Sequence, residues 1–232
     1  MDTQKLASAY TPARLTKYLN YIALPDQYAQ YTNKSDSFSK TEEPLKDLFR
    51  CQITRFPCDN LSCHSSATQL AEIQPDKIYT KVIRSDDTTP SCRGGYSLEV
   101  RTFFHHMLRG LRILSCAFTK ARRLKDETRT HIVNVVRLHS GLQYHINAAL
   151  GGDEPTSPVP LISGQVTKNL GSQEVRLIYD NMPKQTRKEQ KVWIYQYRNA
   201  ADKSWNSLYS FAELEIQDDF EVMNRFTSWD AL

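Results

Sequence analysis

Residues 91–100 read SCRGGYSLEV, and the fold turns on what the paired glycines lead into. Gly94 and Gly95 make a tight turn, and the residues after them look like a helix that opens at Ser97. Such a turn leaves the first backbone N–H groups of the helix unpaired and its positive dipole end exposed. A thiol placed there loses its proton readily and becomes a nucleophile. The residue present is Ser97, whose hydroxyl stays protonated at neutral pH and needs an adjacent base. Serine is also among the best helix caps. Ser97 is therefore a nucleophile, a cap, or the trace of a nucleophile that was lost.

Upstream of this turn the chain is mainly helical. In TPARLTKYLNYIAL (11–24), Thr11 serves as a cap and Pro12 takes the first helical position, with Leu15, Tyr18, Leu19 and Ile22 at helical spacing. A second helix is predicted in EPLKDLFRCQITRF (43–56), ending at Pro57. The polar stretch 26–43 between them reads as a linker or surface loop. From about residue 113 the period changes. RILSCAFTKAR, HIVNVVRLHS, LQYHINAAL, EVRLIYDNM and KVWIYQYRNAADKSWNSLYSF carry strand signals, with Ser140-Gly141 as a turn between the second and third. The segment 151–172 is a Gly/Pro-rich loop, and LEIQDDFEVMNRFTSW (214–229) returns to helical spacing. The expected class is α+β: a helical bundle over 1–92, a barrel-like antiparallel domain over 93–200 carrying the site, and a strand-and-helix extension over 201–232.

Composition narrows the function. The 30 Lys and Arg against 26 Asp and Glu give a formal net charge of +4, and the densest basic stretches lack interleaved aromatics, so no nucleic-acid partner is expected. Five cysteines at irregular spacing, with only His64 beside Cys63 to suggest a ligand set, point to free thiols rather than a metal site. Free thiols, a polar N-terminus and no long apolar run imply a cytoplasmic protein with no membrane partner. Twelve tyrosines and nine phenylalanines are ample for an aromatic-lined core or pocket.

His131 opens the alternating run HIVNVV, and Asn147 lies in YHINAAL on the next predicted strand. If those strands pair through Ser140-Gly141, both residues approach one end of a hairpin. A nucleophile at a helix start, a histidine and an orienting asparagine make the Ser–His–Asn form of the acyl-transfer triad. His105, His106, His139 and His145 read as packing or surface residues.

In their order along the chain, FPCDNLSCH, CRGGYSLEVRTFFHHMLRGLRI, HIVNVVRLHSGLQYHINAALGG, VPLISG and DDFEVMNRFTS resemble the landmarks of the arylamine N-acetyltransferase family, its fungal branch in particular. The resemblance implies that family's fold and a Cys–His–Asp triad carrying an acetyl group from acetyl-CoA to an aromatic amine. Position by position, the Cys falls at Ser97, the His at His131 and, with a one-residue insertion in the turn, the Asp at Asn147. Tyr96, Cys58 and Arg101 fall at or near the family's substrate pocket, with Cys58 replacing a Phe and Arg101 an Asn. The third, α/β lid domain of the family is not expected here. The implied ligands are acetyl-CoA or another acyl-CoA and a small, aromatic substrate, with no metal; oligomeric state is left open. Three functions follow: acyl transfer through Ser97 and His131 to an amine or alcohol, acid–base catalysis of a secondary-metabolism reaction without a covalent intermediate, or a non-catalytic pseudoenzyme.

Overall fold

The structure is a computed structural model describing residues 8–32, 34–65, 70–83, 94–123, 130–149, 152–183 and 185–213. Its helices are α1 (Pro12–Tyr21), α2 (Glu42–Arg55), α3 (Leu61–Ser65), α4 (Pro75–Val82) and α5 (Ser97–Gly110). The strands are β1 (Leu114–Arg123), β2 (Thr130–Arg137), β3 (Gln143–Ile146), β4 (Val159–Pro160), β5 (Val166–Lys168), β6 (Glu174–Asp180), β7 (Val192–Arg198) and β8 (Asn206–Phe211).

Local chemistry explains the first helices. Thr11 Oγ1 accepts the Arg14 N–H at 3.4 Å, and Pro12 loses nothing at a position whose N–H has no helical partner. Helix α2 runs to Arg55 and stops before Pro57. The stretch 26–43 is more ordered than a linker. It forms 3-10 turns at Asp26–Tyr31 and Ser35–Ser37, because Tyr28 and Phe38 are buried, with rings 6.2 Å apart. Polar composition concealed two aromatic anchors there.

The strands make one antiparallel sheet in the order β4-β3-β2-β1-β8-β7-β6-β5. The β2–β3 hairpin forms as the turn signal predicts, with Gly141 at φ 85, a left-handed conformation that costs glycine little. Among the described residues the barrel expected from the sequence is not closed. β4 and β5 remain edges, being two and three residues long, and Pro160 has no N–H to give to a further ladder. Strand β8 lies inside the sheet, between β1 and β7. The helical pattern at 214–229 lies outside the described residues. None of the described helices is long and apolar enough to cross a membrane.

Helix α5 packs between the other helices and β1–β2, and its Val100, Phe103, Phe104, Met107 and Leu108 join Leu15, Tyr18, Phe49, Val136 and Ile146 in one core. A second core, on the opposite side of β2, joins Val133 and Val135 to Val175, Leu177, Tyr195, Tyr209 and Phe211. Phe103 is fully buried and sets its ring against Tyr10, Tyr18, Phe56 and Tyr79. Phe103→Ala is expected to cost about 3–5 kcal/mol, the lost transfer energy plus a cavity. Urea unfolding at neutral pH measures it.

Candidate active site

The site is built from the turn that precedes α5. A Cβ on Gly94 would lie 1.4 Å from the Pro57 carbonyl oxygen, so the chain passes there only because the residue is glycine. The close approach lets Gly95 N–H donate to Pro57 O (3.2 Å) and Asp59 N–H donate to Gly95 O (3.0 Å), with Cys58 and Gly95 forming a parallel bridge. The segment after α2 is thereby locked against the start of α5.

Glu99 completes the helix start. Its Oε2 accepts the Tyr96 N–H at 2.7 Å and the Lys81 ammonium at 2.6 Å, and its Oε1 accepts the Glu72 N–H at 2.9 Å. The N-cap is Tyr96, and Ser97 is the first helical residue, so the helix-cap reading of Ser97 does not hold. Local spacing could not separate the two, because the cap is supplied by a carboxylate three residues further on. Ser97 is half-buried, and its hydroxyl makes no hydrogen bond among the described residues.

One helical turn later, on the same side of α5, comes Arg101, which is 1% exposed. Its Nε donates to Asn147 Oδ1 at 2.7 Å. Asn147 Nδ2 donates to Glu154 Oε2 at 2.5 Å and to the Tyr209 hydroxyl at 3.2 Å. The same hydroxyl lies 2.9 Å from His145 Nε2 and 3.2 Å from Glu154 Oε2. Asn147 and Glu154 are 2% and 5% exposed. A chain of polar groups therefore runs from the start of α5 into the second core.

Burial governs the charges. It pulls Arg101 down to about 10, opposed chiefly by Glu154, and lifts Tyr209 well above the ordinary phenol value. His145 is enclosed by Tyr195, Tyr209 and Phe211, and burial, reinforced by Arg101, lowers it to about 3. Burial also raises the Cys58 thiol above its usual value even though the residue lies at the surface, with the Arg101 charge opposing it.

Of the residues singled out in the sequence, Arg101 and Asn147 are bonded directly. Cys58 sits beside the turn, and Tyr96 packs with Leu98 and Ile132. That packing places the start of β2 next to the start of α5. The His131 backbone belongs to β2, opposite Ala121 of β1, and its side chain lies outside the described residues. Glu154, Tyr209 and Glu99 went unnoticed in the sequence. Glu154 sits in a Gly/Pro-rich loop, where a carboxylate reads as solvated and no period flags it. No group of three His, Cys, Asp or Glu among the described residues could hold a metal ion.

The family model described as N-acetyltransferase matches residues 42–230. The chain belongs to the arylamine N-acetyltransferase family. It is 27% identical to N-malonyltransferase FDB2 of Fusarium pseudograminearum, over 94% of this chain and 70% of that protein. With the FDB2 protein of Gibberella moniliformis it shares 25% identity over the same proportions. Among solved structures, the arylamine N-acetyltransferase of Salmonella typhimurium superposes with a TM-score of 0.70 at 22% identity, covering 96% of this chain and 71% of that one. The Mycobacterium marinum arylamine N-acetyltransferase, solved in complex with CoA, gives 0.69 at 21% identity, over 92% and 71%. These two establish a shared fold.

The buried histidines make stability depend on pH. His145 falls to about 3 in the folded protein against 6.5 ordinarily, His106 falls to about 4, and His105 is lowered as well. As pH drops below the ordinary value the unfolded chain takes up these protons first. The stability is therefore complete above about pH 6.5 and is lost towards about pH 3. Urea unfolding across that range should show His145→Gln losing less stability with acidification than the parent, by up to about 1.4 kcal/mol per pH unit.

Proposed function

We propose that this acyltransferase-family protein moves an acyl group from an acyl-CoA thioester to a small amine, with Ser97 as the acyl acceptor. His131 is the base in this reading, and Asn147 orients it. The carrying observation is the locked helix start. The Pro57–Gly95 hydrogen bond and the Cys58–Gly95 bridge present position 97 at the positive end of α5, one turn before the Arg101–Asn147–Glu154 chain. There the helix N–H groups can stabilise negative charge developing on a carbonyl oxygen.

The steps balance as follows. Ser97 Oγ gives its proton to His131 as it bonds to the acyl carbon; the carbon–sulfur bond of the thioester breaks, and the leaving thiolate takes the proton. The amine nitrogen then attacks the Ser97 ester and its proton passes through His131 to Oγ, which is released. A bound acyl-CoA supplies the activated acyl group. The FDB2 relatives are named N-malonyltransferases, which favours malonyl over acetyl as the acyl group here. Tyr96 and Cys58, beside the turn, are the side chains this reading assigns to an aromatic amine. The reduced thiols of Cys51 and Cys58 suit a reducing, cytoplasmic setting.

A second reading is proton transfer by His131 with no covalent step, consistent with a serine hydroxyl, a weaker nucleophile than a thiolate, at position 97. Steady-state assays with malonyl-CoA, acetyl-CoA and a panel of aromatic amines separate the two. Acyl transfer through Ser97 requires Ser97→Ala to abolish turnover and His131→Ala to cost about 10²–10⁴-fold. Full activity in Ser97→Ala with loss in His131→Ala selects the second reading. Turnover unchanged in both variants removes both.

A further inference from the structure

Asn147 stands where the family resemblance places a carboxylate, and an amide cannot stabilise a neighbouring imidazolium by charge. The structure puts a carboxylate directly behind it. Glu154 Oε2 accepts from Asn147 Nδ2 at 2.5 Å, and both residues are buried. The orientation of the amide is not open to choice. A guanidinium only donates and a carboxylate only accepts, so Oδ1 must face Arg101 and Nδ2 must face Glu154.

We infer that Glu154 is the carboxylate of this site, set one residue further back and acting through Asn147 as a positioning residue. It holds Asn147 with its acceptor oxygen on Arg101 and its donor on Glu154, which fixes the amide at the end of β3, the strand paired with the one that carries His131. It also offsets Arg101, whose uncompensated charge under the helix start would oppose a protonated His131. The inference rests on the reading of Ser97 and His131 as a nucleophile–base pair.

The described groups around Glu154 come from several packed elements. Arg101 reaches towards it from α5, Tyr209 from β8, Tyr195 from β7 and the neutral His145 from β3, with Asp153 adjacent in the chain. Around the helix start, among the described residues, are Glu99, Asp59, Cys58, Tyr96 and Arg101, with Asp59 Oδ1 accepting the Leu61 N–H. Of the acids, Glu99 is occupied by Lys81 and the cap. Glu154 is the carboxylate joined to Asn147.

The test needs no acyl substrate. Ser97→Cys puts a thiol in place, and its alkylation by iodoacetamide is followed across a pH series by peptide mass, which separates it from Cys58. The expected inflection lies well below the ~8.5 of an ordinary cysteine, as a thiolate–imidazolium pair requires. Adding Glu154→Gln should raise that inflection by about one pH unit or more. Adding Asn147→Asp to the pair should lower it again, because the triple variant returns the charge to position 147 with the hydrogen-bond count intact. Thermal unfolding of each variant checks that the fold persists. If Ser97→Cys/Glu154→Gln does not fold, the triple variant decides: a low inflection supports the inference and an ordinary one overturns it. A low inflection that Glu154→Gln leaves in place overturns the role of Glu154 while the nucleophile–base reading stands. An ordinary inflection in Ser97→Cys alone overturns both.

Discussion

Everything at the site depends on a place where the chain has no room for a methyl group. Gly94 runs against the carbonyl of Pro57, and the two backbone hydrogen bonds that follow fix the segment after α2 to the start of α5. With that start fixed, position 97 takes the first helical place, Arg101 comes one turn later, and the guanidinium meets Asn147 at the end of β3. The same lock brings Cys58 beside the turn and Tyr96 against Leu98 and Ile132. A helix whose first turn could slide would lose all of these relations together.

The polar chain below the helix is costly to bury, and the hydrogen bonds through Asn147 and Tyr209 offset part of that cost. A cation and a carboxylate taken out of water lose several kcal/mol of solvation each, and removing one partner leaves the other exposed to that cost. Asn147 joins Arg101 to Glu154 with one acceptor and one donor, so a neutral amide transmits what direct contact would otherwise supply. The tyrosines and His145 stay neutral for the same reason, burial. The helix dipole and the buried charges under it then act on the half-buried position 97, where the field is screened less than at a fully exposed site.

Sequence patterns reached the local structure and stopped at the tertiary. Thr11-Pro12 and Pro57 bounded α1 and α2 because caps and proline act within a few residues. Ser140-Gly141 located the β2–β3 hairpin because a left-handed turn residue is a local demand. The order in 26–43 escaped notice, since it comes from Tyr28 and Phe38 meeting across the chain. The open edges of the sheet depend on the lengths of β4 and β5, which no periodicity in a Gly/Pro-rich loop reveals. At the site, Ser97, His131 and Asn147 stood out by residue type and order, and Arg101 and Cys58 by their departure from the family resemblance. Glu154 and Tyr209 become visible only when distant segments meet at Asn147.

The claim on which the functional account rests is that Ser97 carries the acyl group. Intact-protein mass spectrometry after rapid acid quench of the protein with malonyl-CoA, followed by peptide mapping, tests it directly. The account predicts a single acyl adduct on the peptide containing Ser97, absent in Ser97→Ala and discharged by an accepting amine. An adduct on Cys58, or turnover with Ser97 unmodified throughout, would contradict it.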